Sequence, residues 1–224
     1  MIERLRVGAL GVNCYLLPAG EAGEDGRTPC VVVDPGAEAE RIVDAIESRG
    51  LRPVLIACTH GHLDHCSGIG PLRELLGKRG LVPPLAIHRL DASYVGARSE
   101  LTNQRHFEAI GASAFFAQLW TPIPDAEILF EEGECLAASA WKVIHTPGHS
   151  AGSVCFIDEA RGLLISGDTL FRDGVGRTDG PDSDPAALAA SIEGKLFSLP
   201  ATTRVFPGHG EPTTIGREGG GRGG

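Results

Sequence analysis

Four times along this chain, an apolar run rich in strand formers stops at a turn that carries metal-binding side chains, with Gly or Pro beside them. The densest case is His60-Gly61-His62-Leu63-Asp64-His65, directly after the run PVLIAC at 53–58. Thr146-Pro147-Gly148-His149 follows WKVIH, Gly167-Asp168-Thr169 follows GLLIS, and Pro207-Gly208-His209-Gly210 follows TRVF. Glycine and proline at such places make tight turns, so each ligand is held just beyond a rigid strand. Strands that all end in ligands are expected to converge on one sheet edge. Within the first cluster, His60 and His62 lie two apart and share a face of an extended segment. They can bind one ion together, while a turn into a helix near Asp64 would swing Asp64 and His65 towards a second position. Imidazole and carboxylate at this density suit zinc, iron or manganese.

The segments between these turns alternate in type. Residues 11–17, 30–34, 53–58 and 84–88 are short apolar runs bounded by turn residues, and the patterning predicts helices over 38–49 and 69–79. Ile42, Val43 and Ile46 form one stripe, and Gly50 stands where a helix ends. The second half repeats this grammar with strands at 127–130, 141–145, 153–157, 162–166 and 203–206. A helix is predicted over 184–198, with Asp184 as N-cap, Pro185 in its first turn, and Leu188, Ile192 and Leu196 on one face. An αβ pattern in each half predicts two sheets packed together with helices outside. One domain over 1–215 is expected, with a helical insert at 91–120 near the site and a disordered Gly-rich tail at 216–224.

The chain has 224 residues, 42% of them hydrophobic, enough to bury a substantial core. Its formal charge of −9 argues against a nucleic-acid partner, which would need a basic face. No run reaches the roughly 18 apolar residues of a membrane span, and Glu3 and Asn13 interrupt what would be a secretory leader, so the N-terminus reads as a first strand. The six cysteines form no C-x-x-C pair and sit mostly in apolar runs, the usage of reduced thiols in a cytoplasmic protein.

The ordered set H-x-H-x-D-H, T-P-G-H, S-G-D and P-G-H-G resembles the metallo-β-lactamase superfamily, over about Asn13 to Ile215. The stretches SGDTLF, GVGRTD and PGHGEPTTIG are similar to its glyoxalase II-like (hydroxyacylglutathione hydrolase-like) branch. The resemblance implies an α/β fold, a four-layer αβ/βα sandwich with the site at its edge. It implies that His60, His62 and His149 hold one divalent metal, that Asp64, His65 and His209 hold a second, and that Asp168 bridges them. Zinc is the first expectation, iron or manganese the alternatives. The activity implied is attack of metal-activated hydroxide on a thioester or ester carbonyl, with Asp64 as the catalytic residue that orients the nucleophile and moves a proton. The partner implied is a small-molecule acyl substrate, a glutathione conjugate in the relatives. A bridging Asp168 sets the chain apart from the antibiotic-hydrolysing members. The alternative is a persulfide dioxygenase of the same fold, which uses one iron held by two histidines and one aspartate. The C-terminal helical domain that helps glyoxalase II bind glutathione is not expected here, since the sequence reads as a short tail after His209.

Several residues carry two readings. Arg177 is a candidate for binding a substrate carboxylate, or a surface ion-pair member. Asp34 either orients a ligand histidine or starts the Pro35 turn. His145 reads first as a hydrogen-bonded strand-end histidine, and His88 and His106 as surface or core residues. Cys66 reads as a buried small residue rather than a reactive thiol. The aromatic group at 115–120 reads as helix packing before substrate entrance.

Overall fold

The computed structural model describes residues 2–220. In chain order its first half contains β1 (Glu3–Val7), β2 (Val12–Pro18), β3 (Thr28–Val33), α1 (Ala39–Ser48), β4 (Leu51–Ala57), α2 (Leu63–Cys66), α3 (Ile69–Gly77) and β5 (Leu85–His88). Two 3₁₀ turns, Arg89–Tyr94 and Gly96–Arg98, lead into α4 (Ser99–Ala109) and α5 (Ser113–Leu119). β6 (Ile128–Phe130), β7 (Lys142–His145), β8 (Val154–Asp158) and β9 (Leu163–Gly167) follow, then the hairpin β10 (Leu170–Phe171) and β11 (Gly174–Val175). The last elements are α6 (Pro185–Ser191), a π turn at Ile192–Leu196, β12 (Arg204–Pro207), β13 (Thr213–Thr214) and α7 (Ile215–Gly219).

One sheet has the order β1-β2-β3-β4-β5-β6, and the other β13-β12-β9-β8-β7. The strand sequences explain why these sheets are stacked. Along β2, Cys14 and Leu16 pack towards α1 and α3, while Tyr15 and Leu17 pack towards the opposite sheet. Along β8, Val154 and Phe156 face the first sheet, while Cys155 and Ile157 face α6. Both faces of these strands are buried, so the runs are continuously apolar instead of alternating. Three apolar layers result: helices on the first sheet, sheet on sheet, and the second sheet on α6. This is the four-layer αβ/βα sandwich. Among the described residues no helix is long and apolar enough to cross a membrane, and no cysteine is in a disulfide.

Local signals hold at most element ends. Asp184 caps α6, its Oδ1 accepting from the amides of Ala186 at 2.8 Å and Ala187 at 3.0 Å. The helix expected over 184–198 changes at Ile192 into a wider π turn that contains Gly194. The tail expected to be disordered from 216 departs from that reading at its start. The Thr214 hydroxyl accepts from the Arg217 amide at 3.2 Å, Ile215 is buried, and Glu218 accepts from the Asp173 amide at 3.0 Å. A cap, one apolar anchor and one cross-link are enough to dock a short helix despite its glycines. Residues 221–224 lie outside the described residues.

His88 and His145 stack with ring centroids 4.1 Å apart, across the junction of the two sheets. His145 Nε2 bonds the Ala151 carbonyl at 3.0 Å, as a strand-end histidine should. Burial, followed by the His145 and Arg89 charges, pushes the His88 pKa down to about 4. A folded pKa below the unfolded value of about 6.5 means the unfolded chain takes the proton first. Stability is therefore intact above about pH 6.5 and is lost as pH falls towards 4. The expected loss at pH 5 is about 1–2 kcal/mol, with partial solvent contact discounted. Urea midpoints of wild type and His88→Gln across this range check it: the variant should show a shallower acid slope.

Candidate active site

All four ligand-bearing turns lie at the same edge of the sandwich. β4 ends at Ala57 and delivers His60 and His62, and α2 then begins at Leu63 and turns Asp64 and His65 towards a second position. β7, β9 and β12 end just before His149, Asp168 and His209. The loop holding His209 is pinned by the first sheet. The Asn13 amide donates to Gly208 O at 2.7 Å, Asn13 Nδ2 to Pro207 O at 2.9 Å, and the Tyr15 hydroxyl to Pro207 O at 2.7 Å.

His60, His62 and His149 present three ring nitrogens within 4.8 Å of one another, and Asp64, His65 and His209 form a second such trio. Asp168 lies between them. Its Oδ1 is 3.4 Å from His65 Nε2, and its Oδ2 is 3.7 Å from His209 Nε2 and 3.8 Å from His149 Nε2. Sequence spacing thus singled out seven residues that the fold gathers into one cluster.

Ring orientation is set from behind. Asp34 is buried in a left-handed conformation, φ 51°, and its carboxylate accepts from the Thr59 amide at 2.8 Å, the Thr59 hydroxyl at 2.7 Å and His65 Nδ1 at 2.9 Å. A carboxylate only accepts, so His65 carries its proton on Nδ1 and aims Nε2 at the centre. The Thr59 hydroxyl proton goes to Asp34, which leaves its oxygen to accept from His60 Nδ1 at 3.1 Å. His149 Nδ1 donates to the Arg177 carbonyl at 2.9 Å. Asp34 is therefore the orienting residue of its two readings.

The electrostatics follow from crowding. Burial first, then the His65 and His62 rings, pushes His60 well below the usual histidine range. Burial and then His149 do the same to His62. Burial also opposes charge on His65, but Asp168, Asp64 and Asp34 outweigh it and hold this ring well above that range. Asp64 resists burial through the His65 charge and a 3.1 Å bond from His209, and is held below the carboxylate range. His60 and His149 face each other Nε2 to Nε2 at 3.3 Å, while His65 Nε2 and Asp168 Oδ1 are buried with no hydrogen-bond partner. Such atoms are costly unless something coordinates them. The donor set fits a pair of divalent cations.

Other residues resolve differently. The Arg177 fork is held at the surface by Asp179, at 2.5 and 2.6 Å, while its backbone serves His149. Cys66 is buried, 3.6 Å from Cys58 Sγ, and that contact together with burial pushes its thiol up. Phe116 stacks on Trp120 with centroids 5.5 Å apart, whereas Phe115 is exposed at the cavity mouth, so the aromatic group divides between packing and entrance.

Two residues escape sequence reasoning. His106 of α4 packs on His62 with centroids 4.2 Å apart and lines the cavity. Asp91, fully buried, accepts from the Gly61 amide at 2.9 Å, the Ser150 hydroxyl at 2.7 Å and the Gly152 amide at 2.6 Å. Neither has a motif around it. The only available signal for Asp91 was an aspartate shortly after a buried strand.

Gly208 leaves no room for a side chain. A Cβ there would sit 2.2 Å from Asp168 Oδ1 and 2.7 Å from His65 Cε1, whereas one at Gly210 would meet nothing within 4 Å. Gly208→Ala is expected to lower metal affinity about 10–100-fold, as loss of a supporting contact does. Gly210→Ala, at φ 75°, should cost only about 1 kcal/mol of backbone strain. Metal titration and urea unfolding of both variants check this.

The family model of the metallo-beta-lactamase superfamily matches residues 7–209. Hydroxyacylglutathione hydrolase GloC of Haemophilus influenzae is 32% identical over 97% of this chain and 94% of its own length. TTHA1623, solved in a di-iron-bound form, is 37% identical with a TM-score of 0.77, covering 97% of this chain and 96% of that one. BLEG-1, a B3 metallo-beta-lactamase, is 31% identical with a TM-score of 0.79 over the same shares. A fold, a donor cluster and relatives spanning the whole length agree: the chain belongs to the metallo-beta-lactamase superfamily.

Proposed function

We propose that this chain is a dinuclear metal-dependent hydrolase that cleaves thioesters. One observation carries the reading: seven donors converge as two trios joined by Asp168, with His65 Nε2 and Asp168 Oδ1 buried and unsatisfied. His60, His62 and His149 would hold the first cation and Asp64, His65 and His209 the second, with Asp168 placed to serve both. Divalent cations at such sites supply Lewis acidity, polarising a carbonyl oxygen and making water reactive near neutral pH. Asp64 stays ionised under the influence of His65 and His209, so it can accept a hydrogen bond from the attacking water and orient it. Asp34 and Thr59 keep His60 and His65 in the tautomers that present Nε2. Zinc is the first choice for this imidazole–carboxylate set, and the di-iron form of TTHA1623 supports iron as the alternative. Similarity to GloC supports a thioester with a glutathione-like thiol half. Arg177 would meet a carboxylate on that half by exchanging it for Asp179. The unpaired thiols support a reducing, cytoplasmic setting.

Elemental analysis of chain purified without added metal, joined to substrate assays, tests the reading. A pair of ions per chain and chelator-sensitive turnover of acyl thioesters are expected. A single iron per chain with oxygen uptake on glutathione persulfide would overturn it in favour of the dioxygenase. Faster turnover of β-lactams than of any thioester would overturn it in favour of a BLEG-1-like activity.

A further inference from the structure

The cavity over the candidate ligand cluster, about 580 Å³, has His62, Asp64, His149, Asp168 and His209 among its lining residues. Apart from His106 beside His62 and Arg177 at the rim, the rest of its wall is apolar, with Leu10, Phe107, Ile110, Phe115, Phe171 and Val175 as its large side chains. These come from four separate places, the β1–β2 turn, α4–α5, β10 and β11. Eight large apolar side chains are exposed among the described residues, and three of them, Leu10 at 50%, Phe115 at 53% and Val175 at 52%, edge this one cavity. Exposed apolar groups gathered from separate elements mark a surface that gains by being covered. Charge points the same way. Arg177 is the one arginine or lysine lining the cavity among the described residues, and its fork is closed on Asp179. An anionic acyl group against this wall would lose its water and find that arginine engaged, by Asp179 or by the thiol half of the substrate, whereas a hydrocarbon group would lose water from both surfaces favourably.

The geometry points to a substrate whose acyl half is an uncharged hydrocarbon chain, laid from the metal cluster outward between Phe115, Leu10 and Val175. This deepens the thioesterase reading and rests on it: the scissile carbonyl sits over the ligand cluster, and the acyl chain contacts the apolar wall. The same wall would disfavour a dicarboxylate acyl group of equal length.

Two experiments on the metal-loaded chain separate this inference from the reading beneath it. The first is a series of straight-chain acyl thioesters on one uncharged thiol, N-acetylcysteamine, from acetyl to hexanoyl, with succinyl beside butyryl. The expected kcat/KM rises about two- to threefold per methylene, below the full transfer value because the wall is half open. Succinyl should be at least about tenfold poorer than butyryl. In Phe115→Ser and Leu10→Ser, both surface changes, the gain per methylene should shrink towards unity. The second is calorimetric binding of octanoate and suberate, which differ only in the distal methyl or carboxylate. Octanoate should bind at least about tenfold tighter, and Phe115→Ser should erase the difference. Thioester turnover with a flat chain-length profile would overturn the inference and leave the thioesterase reading standing. No thioester turnover, with octanoate still preferred and the preference lost in Phe115→Ser, would overturn the thioesterase reading and leave the apolar subsite standing. Equal binding of the two acids, tighter suberate, or no binding of octanoate would overturn the subsite.

Discussion

Asp168→Asn is expected to lower hydrolysis by at least about 10³-fold and to reduce bound metal from a pair of ions towards one. Asparagine keeps the shape of the side chain but removes its charge. Asp168 faces both trios, with Oδ1 3.4 Å from His65 Nε2 and Oδ2 within 3.8 Å of His149 of the first and His209 of the second. Its loss leaves Asp64 as the only anionic donor to a pair of dications among five imidazoles. The neutral amide also cannot balance a charged His65 in the metal-free chain, so the variant should bind less metal without gaining stability. Metal analysis beside steady-state rates reads both parts. A variant with a full complement of metal and near wild-type turnover would remove Asp168 from the centre and, with it, the dinuclear reading.

Asp91→Ala is the second large effect, expected to cost roughly 3–5 kcal/mol of stability. The residue touches none of the seven candidate ligands. Oδ2 accepts from the Gly61 amide and the Ser150 hydroxyl, and Oδ1 from the Gly152 amide. It therefore ties the loop carrying His60 and His62 to the loop carrying His149. Truncation leaves the buried Gly61 and Gly152 amides unpaired, at about 1–3 kcal/mol each before relaxation, and the Ser150 hydroxyl with Ser153 Oγ alone. Burial raises the Asp91 pKa even against these three donors. With the folded value above the unfolded one, its protonation favours folding in acid, and that contribution is gone once pH has risen through the folded value. All three contacts donate to the carboxyl oxygens, so Asp91→Asn, which keeps one acceptor, should fall between wild type and Asp91→Ala. Urea midpoints rank the three proteins. Metal titration supplies the readout that a generic packing role would leave unchanged: affinity should fall most where His149 must meet His60. A stable Asp91→Ala protein with unaltered metal affinity would remove the tether.

The chain's order of motifs made much of this fold legible. Continuous apolar runs such as CVVVD and PVLIAC read as strands because both of their faces are buried, and Asp184-Pro185 and Gly50 read as helix ends because their backbone demands are local. Short elements escaped for the opposite reason. The β10–β11 hairpin, β13 and α7 are two to five residues long and exist through tertiary contacts such as Glu218 with the Asp173 amide. The insert at 91–120 could be read as helical, but not which of its residues face the site. Phe115 and Phe116 are neighbours with the same chemistry, and helix rotation alone sends one to the cavity and the other to Trp120.

The seven candidate ligands could be named from the sequence alone, because each stands in the first residues after a strand-like run, in turns marked by Gly or Pro, and because metal-binding side chains at that density have few other uses. Tertiary structure alone decided their support. Asp34, Thr59, Asn13 and Asp91 act through bonds spanning as many as 197 positions, and the choice for Asp34 between turn former and orienting group rests on where His65 lies in space. Ligand identity is a property of local chemistry, which a linear string records. Orientation, tautomer and the apolar wall around the centre are properties of proximity between distant segments, which only folding creates.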